Sequence, residues 1–114
     1  KRMIEARLIE ELNNRLSNPI YVMVPATPPK KFHVLQKTGS RIDNKITEST
    51  IAIQSYSSNS LLEAIELNEA VKSAMFDLIS CDDISAVYLN GDYNYTDTTE
   101  KRYRYQAVFV ITHY

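Results

Sequence analysis

The residues able to do chemistry are few in this chain and stand far apart. His33 and His113 are its two histidines, and neither has a second ligand type at metal-binding spacing. A zinc site needs three or four converging ligands, and neither a CxxC nor an HExxH pattern occurs. We therefore expect structural or solvated roles for both histidines, and we expect no metal and no cofactor.

The single cysteine is also poorly placed for catalysis. Cys81 directly precedes Asp82 and Asp83, at the predicted end of a helix. The helix C-terminus and the two carboxylates disfavour the thiolate, so an inert thiol is expected. Adjacent aspartates without a third ligand are typical of a solvated turn. With no G-x-S-x-G pattern and only 2 glycines, the sequence predicts that the protein is not an enzyme.

The composition is that of a globular protein. The chain has 114 residues, of which 44% are hydrophobic and 24% charged, and this suits a single domain spanning 1–114. A net charge of −1 argues against a general nucleic-acid binder. No apolar run approaches ~18 residues, so we expect no membrane contact, and one cysteine fits a reducing compartment. Whether Lys1 and Arg2 are native stays open, since Met3 is a natural start.

The first elements follow from hydrophobic periodicity. Apolar residues recur at three- and four-residue steps over 2–17, which predicts an amphipathic helix that ends before Pro19. The β-branched run Ile20–Val24 predicts a strand. The prolines that follow it, beginning with Pro25, predict an extended connector that a central strand would not accept.

Two more strands are predicted in the middle of the chain. Phe32–Lys37 alternates in the manner of a strand, and Thr47–Tyr56 does so with Ile51 and Ile53 on its core face. Between these strands, Thr38–Lys45 is rich in residues that favour turns and has little to bury. It is predicted to be an exposed, mobile loop.

The second half opens with the strongest helix signal. Ser60 and Glu63 match a capping box, and an apolar stripe follows, so a helix is predicted at about 60–80. Ile84–Leu89 is the fourth predicted strand.

Two positions compete for the next chain reversal. Asn90-Gly91 suits a type I′ turn, but Tyr93 and Tyr95 continue the alternation, so we favour a bulge there and the reversal at Asn94–Thr99. The last strand is then Arg102–His113. Its far end is apolar on both faces, as in a strand with neighbours on either side.

Together these elements predict an α+β fold in the order α-β-β-β-α-β-β. Consecutive strands and short connections favour a mostly antiparallel sheet of about five strands, with two helices packed on one face.

Two basic stretches lie beside aromatic residues. The first stretch contains Lys30, Lys31, Lys37, Arg41 and Lys45, and the second contains Lys101, Arg102 and Arg104. Phe32 lies within the first stretch and Tyr103 within the second. Such a pattern allows a small nucleic-acid-binding module. A solvated face or a charged protein interface is the interpretation we favour.

With these elements placed, the chain resembles the tail-completion proteins of long-tailed bacteriophages and prophages, in particular tail terminators and head–tail joining proteins. The likeness covers nearly the whole chain as an order of elements. It begins with the N-terminal helix leading to Ile20–Pro25 and continues through Pro29–Gly39. A Thr-rich strand at Ile46–Gln54 follows, then the serine-capped helix with Glu63–Leu67 and a Tyr-rich strand pair.

The resemblance implies an assembly role. It implies a ring, commonly a hexamer, which forms in the bacterial host cytoplasm and caps the tail tube at the head–tail junction of the virion. The implied partners are further copies of the chain, the tail-tube protein and head connector proteins, while nucleic acid is not expected. The candidate interface residues lie in the predicted loop and near the sheet edges: Lys30, Lys31, Arg41, Asp43, Lys45, Tyr93, Tyr95, Arg102, Tyr103, Arg104 and Tyr105.

Overall fold

A computed structural model describes residues 3–97, 99 and 102–114 of the chain. Its elements, in chain order, are α1 (Ile4–Arg15), β1 (Ile20–Tyr21), β2 (Lys31–Asp43), β3 (Ile46–Ser57), α2 (Leu61–Asp77), a 3-10 turn (Leu78–Ser80), β4 (Ile84–Asn94) and β5 (Tyr103–His113). The predicted order of helices and strands is therefore confirmed, apart from the added 3-10 turn.

The strands form one sheet in the order β1-β2-β3-β5-β4. β1 pairs with β2 in parallel, and the other three pairings are antiparallel. The predicted α+β fold with a mostly antiparallel sheet is confirmed. β5 lies between β3 and β4, which explains why its far end is apolar on both faces.

Both helices pack on one face of the sheet, as predicted. The central strands supply Ile51, Ile53 and Phe109, all fully buried beneath the helices. Each such side chain contributes about 1.5–3 kcal/mol when it leaves water. The helices meet this layer with their apolar stripes, whose buried members are Ile4, Leu8, Leu12, Ala64, Leu67, Val71, Ala74 and Met75.

The position of α1 is secured by an ion-pair network. Arg7 donates from Nε to Asp83 Oδ2 at 2.9 Å and from Nη2 to Oδ1 at 3.1 Å, while its Nη1 reaches Glu11 Oε2 at 2.6 Å. The hydrogen bonds from Arg15 and Arg7 lower the pKa of Glu11 to about 2. Asp82 and Asp83 lie in a turn, as predicted, and Asp82 is exposed. The Asp83 side chain is 44% exposed and in addition holds α1 to the start of β4, which the sequence did not predict.

The predicted exposure of Thr38–Lys45 is confirmed, but the prediction of a loop is wrong up to Asp43. β2 continues to Asp43 and pairs with β3 down to Asp43–Ile46. The reversal needs only Asn44 and Lys45, whose φ angles of 51° and 68° match a type I′ turn. Turn-prone and polar residues are tolerated within the strand because its outer side is exposed.

The first strand is shorter than predicted. Only Ile20 and Tyr21 pair with β2, while Val22, Met23 and Val24 leave the sheet and are exposed. The β-branched run was misleading because Pro25 and the prolines after it draw the chain away from the strand edge.

Of the two hydrogen bonds in the predicted capping box of α2, the one accepted by Ser60 is present and the one expected from Glu63 goes to other partners. Ser60 Oγ accepts a hydrogen bond from the Glu63 amide at 3.1 Å, as predicted. The Glu63 carboxylate accepts from Ser57 Oγ at 2.7 Å and from Asn59 Nδ2 at 2.9 Å, and so ties the helix to the end of β3.

The favoured position of the β4–β5 reversal is confirmed. A register shift between Leu89 and Gly91 marks the bulge, and β4 then continues to Asn94. Thr98, within the predicted reversal, lies outside the described residues.

The turn at Asn44-Lys45 predicts a stabilising substitution. A side chain in the left-handed region costs about 1–2 kcal/mol, so Lys45→Gly should raise the free energy of unfolding by about 1 kcal/mol. Urea denaturation measures the change. Lys45→Ala is the matched control, because it removes the charge and keeps Cβ. Equal stability of the two variants would contradict the strain argument.

Candidate functional site

The sheet face opposite the helices, called here the open face, carries a row of aromatic and arginine side chains. Phe32, Tyr56 and Arg104 occupy matching register positions on β2, β3 and β5, and Tyr95 follows β4 in the same row. The Phe32 and Tyr56 rings stack with centroids 4.5 Å apart and an interplanar angle of 4°. Both rings are buried, although no helix covers them.

Arg104 joins the two ends of this row. Its guanidinium carbon lies 4.5 Å from the Tyr95 ring centroid and 5.6 Å from that of Tyr56. Its Nε donates to the Tyr95 carbonyl at 2.8 Å, and its Nη1 donates to Tyr56 Oη at 3.2 Å. Arg102 lies over Tyr56 and Phe32 at 5.6 and 5.7 Å. Cation–π contacts of this kind stabilise by about 0.5–2 kcal/mol each.

A second row, made of glutamines, runs beside the first. Gln54 Nε2 donates to Gln36 Oε1 at 3.1 Å and to Gln106 Oε1 at 2.7 Å. Gln106 Nε2 donates in turn to Tyr93 Oη at 2.5 Å, so the chain of hydrogen bonds crosses four strands. Because Gln54 and Gln106 are buried, these bonds offset the cost of removing their amides from water.

The candidate interface residues separate into two groups at opposite ends of the sheet. Arg41, Asp43 and Lys45 lie at the β2–β3 turn. The other group, at the far end of the strands, comprises Lys30, Lys31, Tyr93, Tyr95, Arg102, Tyr103, Arg104 and Tyr105. The longest dimension of the molecule is 44 Å, so the two groups are two separate surfaces.

The second group is further divided between the two faces. Arg104 lies in the row of Tyr56 on the open face, whereas Tyr103 and Tyr105 pair with Ser57 and Ser55 on the helix face. The sequence placed these neighbours in one cluster, but strand alternation separates them.

The basic stretch Lys30–Lys45 is likewise dispersed. Lys37 lies 3.8 Å from Glu5 on α1, and Arg41 lies 3.4 Å from Glu48 on β3. Lys45 stands at the turn, and Lys101 of the second stretch lies outside the described residues. The described lysines of this strand therefore form no continuous basic stripe.

A shallow pocket of about 260 Å³ lies on the open face near the turn. Its lining mixes both charge signs with an apolar side chain: Arg41, Asp43, Asn44, Ile46, Glu48 and Thr112.

The two histidines contact serines in different parts of the sheet. His33 Nδ1 lies 2.9 Å from Ser55 Oγ, and His113 Nε2 lies 2.9 Å from Ser49 Oγ. Burial lowers the pKa of His33 to about 4. Cys81 is half-buried with a free thiol near Glu11. Within residues 3–97, 99 and 102–114, no three His, Cys, Asp or Glu side chains gather into a metal-binding group.

The sequence singled out Tyr93, Tyr95, Arg102 and Arg104, and it placed Phe32 beside a basic stretch, but it did not identify Tyr56 or bring these residues onto one face. The alternation Phe32-x-Val34-x-Gln36 indicates that these three side chains share one face of β2. The sequence does not show which residues of β3 lie beside them, because that depends on the register of β2 against β3.

No protein-family model matches the chain, and no curated protein matches it in sequence. Neither helix, in the part of the chain that the structure describes, is both long and apolar enough to cross a membrane.

The aromatic and arginine row predicts a stability effect at Arg104. Arg104→Met should lower the free energy of unfolding by about 1–2 kcal/mol, because it removes two hydrogen bonds and two cation–π contacts. Arg104→Lys should recover part of the loss, since lysine lacks the planar fork. Urea denaturation measures both, with exposed Arg41→Met as control. A loss at Arg104 no larger than at Arg41 would contradict the prediction.

The burial of His33 predicts an acid dependence of stability. The unfolded chain protonates this ring near pH 6.5 and the folded chain only near pH 4, so stability falls as the pH drops through that interval. The slope should approach about 1.4 kcal/mol per pH unit. His33→Gln should flatten the slope, whereas His113→Gln should keep it because His33 is retained. Denaturation at several pH values measures both slopes, and unchanged steepness in His33→Gln would refute the assignment.

Proposed function

We propose that the chain is a structural protein of a bacteriophage or prophage, a tail terminator or head–tail joining component that assembles as a ring on the end of the tail tube. Its partners are further copies of the chain, the tail-tube protein and head connector proteins. Assembly takes place in the bacterial host cytoplasm, and the finished ring lies at the head–tail junction.

The observation that carries this proposal is the long β2–β3 hairpin, which stands in place of the predicted loop. Its strand β2 is exposed from Gln36 to Asp43, and Ile42 near the turn is 73% exposed. Exposed apolar side chains next to an unpaired strand edge are typical of protein–protein contact sites.

Two further features support an assembly role. The order α-β-β-β-α-β-β agrees with that of the tail-completion proteins the sequence resembles. The open face is held by its own hydrogen bonds and ring contacts, from Gln36 across to Tyr93, so it forms a firm surface without a bound partner. A preorganised surface loses little entropy on binding.

The experiment mixes the purified chain with tail tubes assembled from the tube protein of the same genome. Electron microscopy should reveal ring-shaped density at tube ends, and added tube protein should no longer lengthen the capped tubes. Tubes incubated without the chain are the control and should continue to grow. Bare ends and unrestricted growth at excess chain would reject the proposal.

A nucleic-acid-binding module is the second candidate, and the position of Arg102 and Arg104 over aromatic rings favours it. Against it, Arg104 is already occupied by Tyr95 and Tyr56. Titration of labelled single- and double-stranded DNA at rising salt tests the candidate. Binding should weaken steeply with salt if phosphates are contacted, and undetectable binding at low salt removes this function.

A further inference from the structure

Both outer sides of the sheet present strand backbone that pairs with nothing else in the described part of the chain. On one side, β1 covers β2 only at His33 and Val34, so β2 is open from Leu35 to Asp43. On the other side, β4 is the last strand, and its outer backbone is open within Ile84–Asn94 except at the Ile84 amide, which donates to the Cys81 carbonyl at 3.2 Å. Unpaired amide and carbonyl groups make each edge able to accept a further strand.

The two open edges lie at the same level of the molecule. Following the pairings across the sheet, Leu35 is level with Ile53, Ala107 and Asp92. At the other end, Ile42 is level with Thr47, His113 and Ile84. The open part of β2 therefore spans the same height as β4 from Ile84 to Asp92, so two copies placed side by side would bring these edges together.

The strand directions also fit. β2, β3, β5 and β4 alternate in direction, so the two edge strands run in opposite senses. When a second copy is added by rotation about an axis along the strands, its β2 meets the first copy's β4 in antiparallel orientation. The alternation then continues from copy to copy, as a head-to-tail contact that closes into a ring requires.

One irregularity on each edge lies at the same height, while a second one on β4, between Ile84 and Ala86, has no counterpart on β2. β2 shifts register between Lys37 and Gly39, and β4 shifts between Leu89 and Gly91. Lys37 and Leu89 are level with each other through Ile51 and Phe109. Bulges bend a strand, so the two edges bend at the same height.

Exposed apolar side chains lie on both edges. β4 contains no lysine, arginine or proline, the residues that commonly protect an edge from strand addition. Tyr88 on β4 is 65% exposed, and Ile42 on β2 is 73% exposed. The β2 edge carries Lys37 and Arg41, which lie 3.8 Å from Glu5 and 3.4 Å from Glu48 of the same chain.

We propose that β2 from Leu35 to Ile42 of one copy adds to β4 from Ile84 to Asp92 of the next, so that the ring is a continuous antiparallel sheet with its helices on one side. The inference rests on the self-assembly part of the proposed function and names the two surfaces through which assembly occurs. The occupant of each edge is another copy of this chain.

Cysteine cross-linking of the purified chain tests the contact. In a Cys81→Ser background, Ser40→Cys and Ala86→Cys place thiols at exposed positions on the two edges. Mixing these two variants with a short bis-maleimide should give a covalent dimer, and each variant alone should give no covalent dimer although it still self-associates. Met23→Cys mixed with Ala86→Cys is the control pair, because Met23 is 71% exposed but belongs to neither edge.

Sedimentation velocity over a range of concentrations provides the second measurement. Ile42→Lys and Tyr88→Lys should each weaken self-association by about tenfold or more, because each puts a charge into a closed contact. Met23→Lys should leave it unchanged, and all three should keep the parent's folding stability, since these side chains are exposed in the single chain.

Three outcomes would overturn the inference. Dimers of Ser40→Cys alone would show contact between like edges, and a chain that stays monomeric at every concentration would show no such contact. Cross-links absent from rings on capped tubes would mean that another protein covers the edges, while the proposed function stands. Edge cross-links without tube capping would support the edge contact and count against the proposed function on the tail tube.

Discussion

The structure depends on the register of β3, the strand that pairs along its length with β2 on one side and β5 on the other. Ile51 and Ile53 point to the helices, while Gln54 and Tyr56 point to the open face. A shift by one residue would exchange these sets and bury glutamine under the helices. One register therefore sets the core, the aromatic and arginine row and the glutamine row together.

The two faces reach stability by different means. The helix face buries aliphatic side chains and gains from their removal from water. The open face has no helix, and it buries Phe32 and Tyr56 by stacking them on each other and beneath Arg102. The polar side chains of that face form hydrogen bonds with one another. The unpaired backbone groups lie instead at the two edges of the sheet, and the proposed assembly contact is therefore placed there.

Ion pairs then fix how the helices sit on the sheet. Arg7 joins α1 to Asp83 at the start of β4, and Lys72 on α2 reaches Asp92 farther along β4 at 3.0 Å. The fully buried Asn68 also donates to Asp92, at 2.9 Å. Both helices are thus tied to the strand that forms one outer edge of the sheet, which holds that edge in a defined place.

Sequence by itself determined the order and type of the elements, the core positions Ile51 and Ile53 and the bulge at Gly91, because these follow from local periodicity and turn chemistry. Tertiary structure alone decided the rest. Thr38–Asp43 became strand because β3 offered a partner, and Asp83 became an anchor because α1 brings Arg7 to it. Arg104 and Tyr105, adjacent in sequence, face opposite sides of the sheet, and their partners come from distant strands. Side-chain partners across a sheet depend on register, and register is set by long-range packing that no single segment contains.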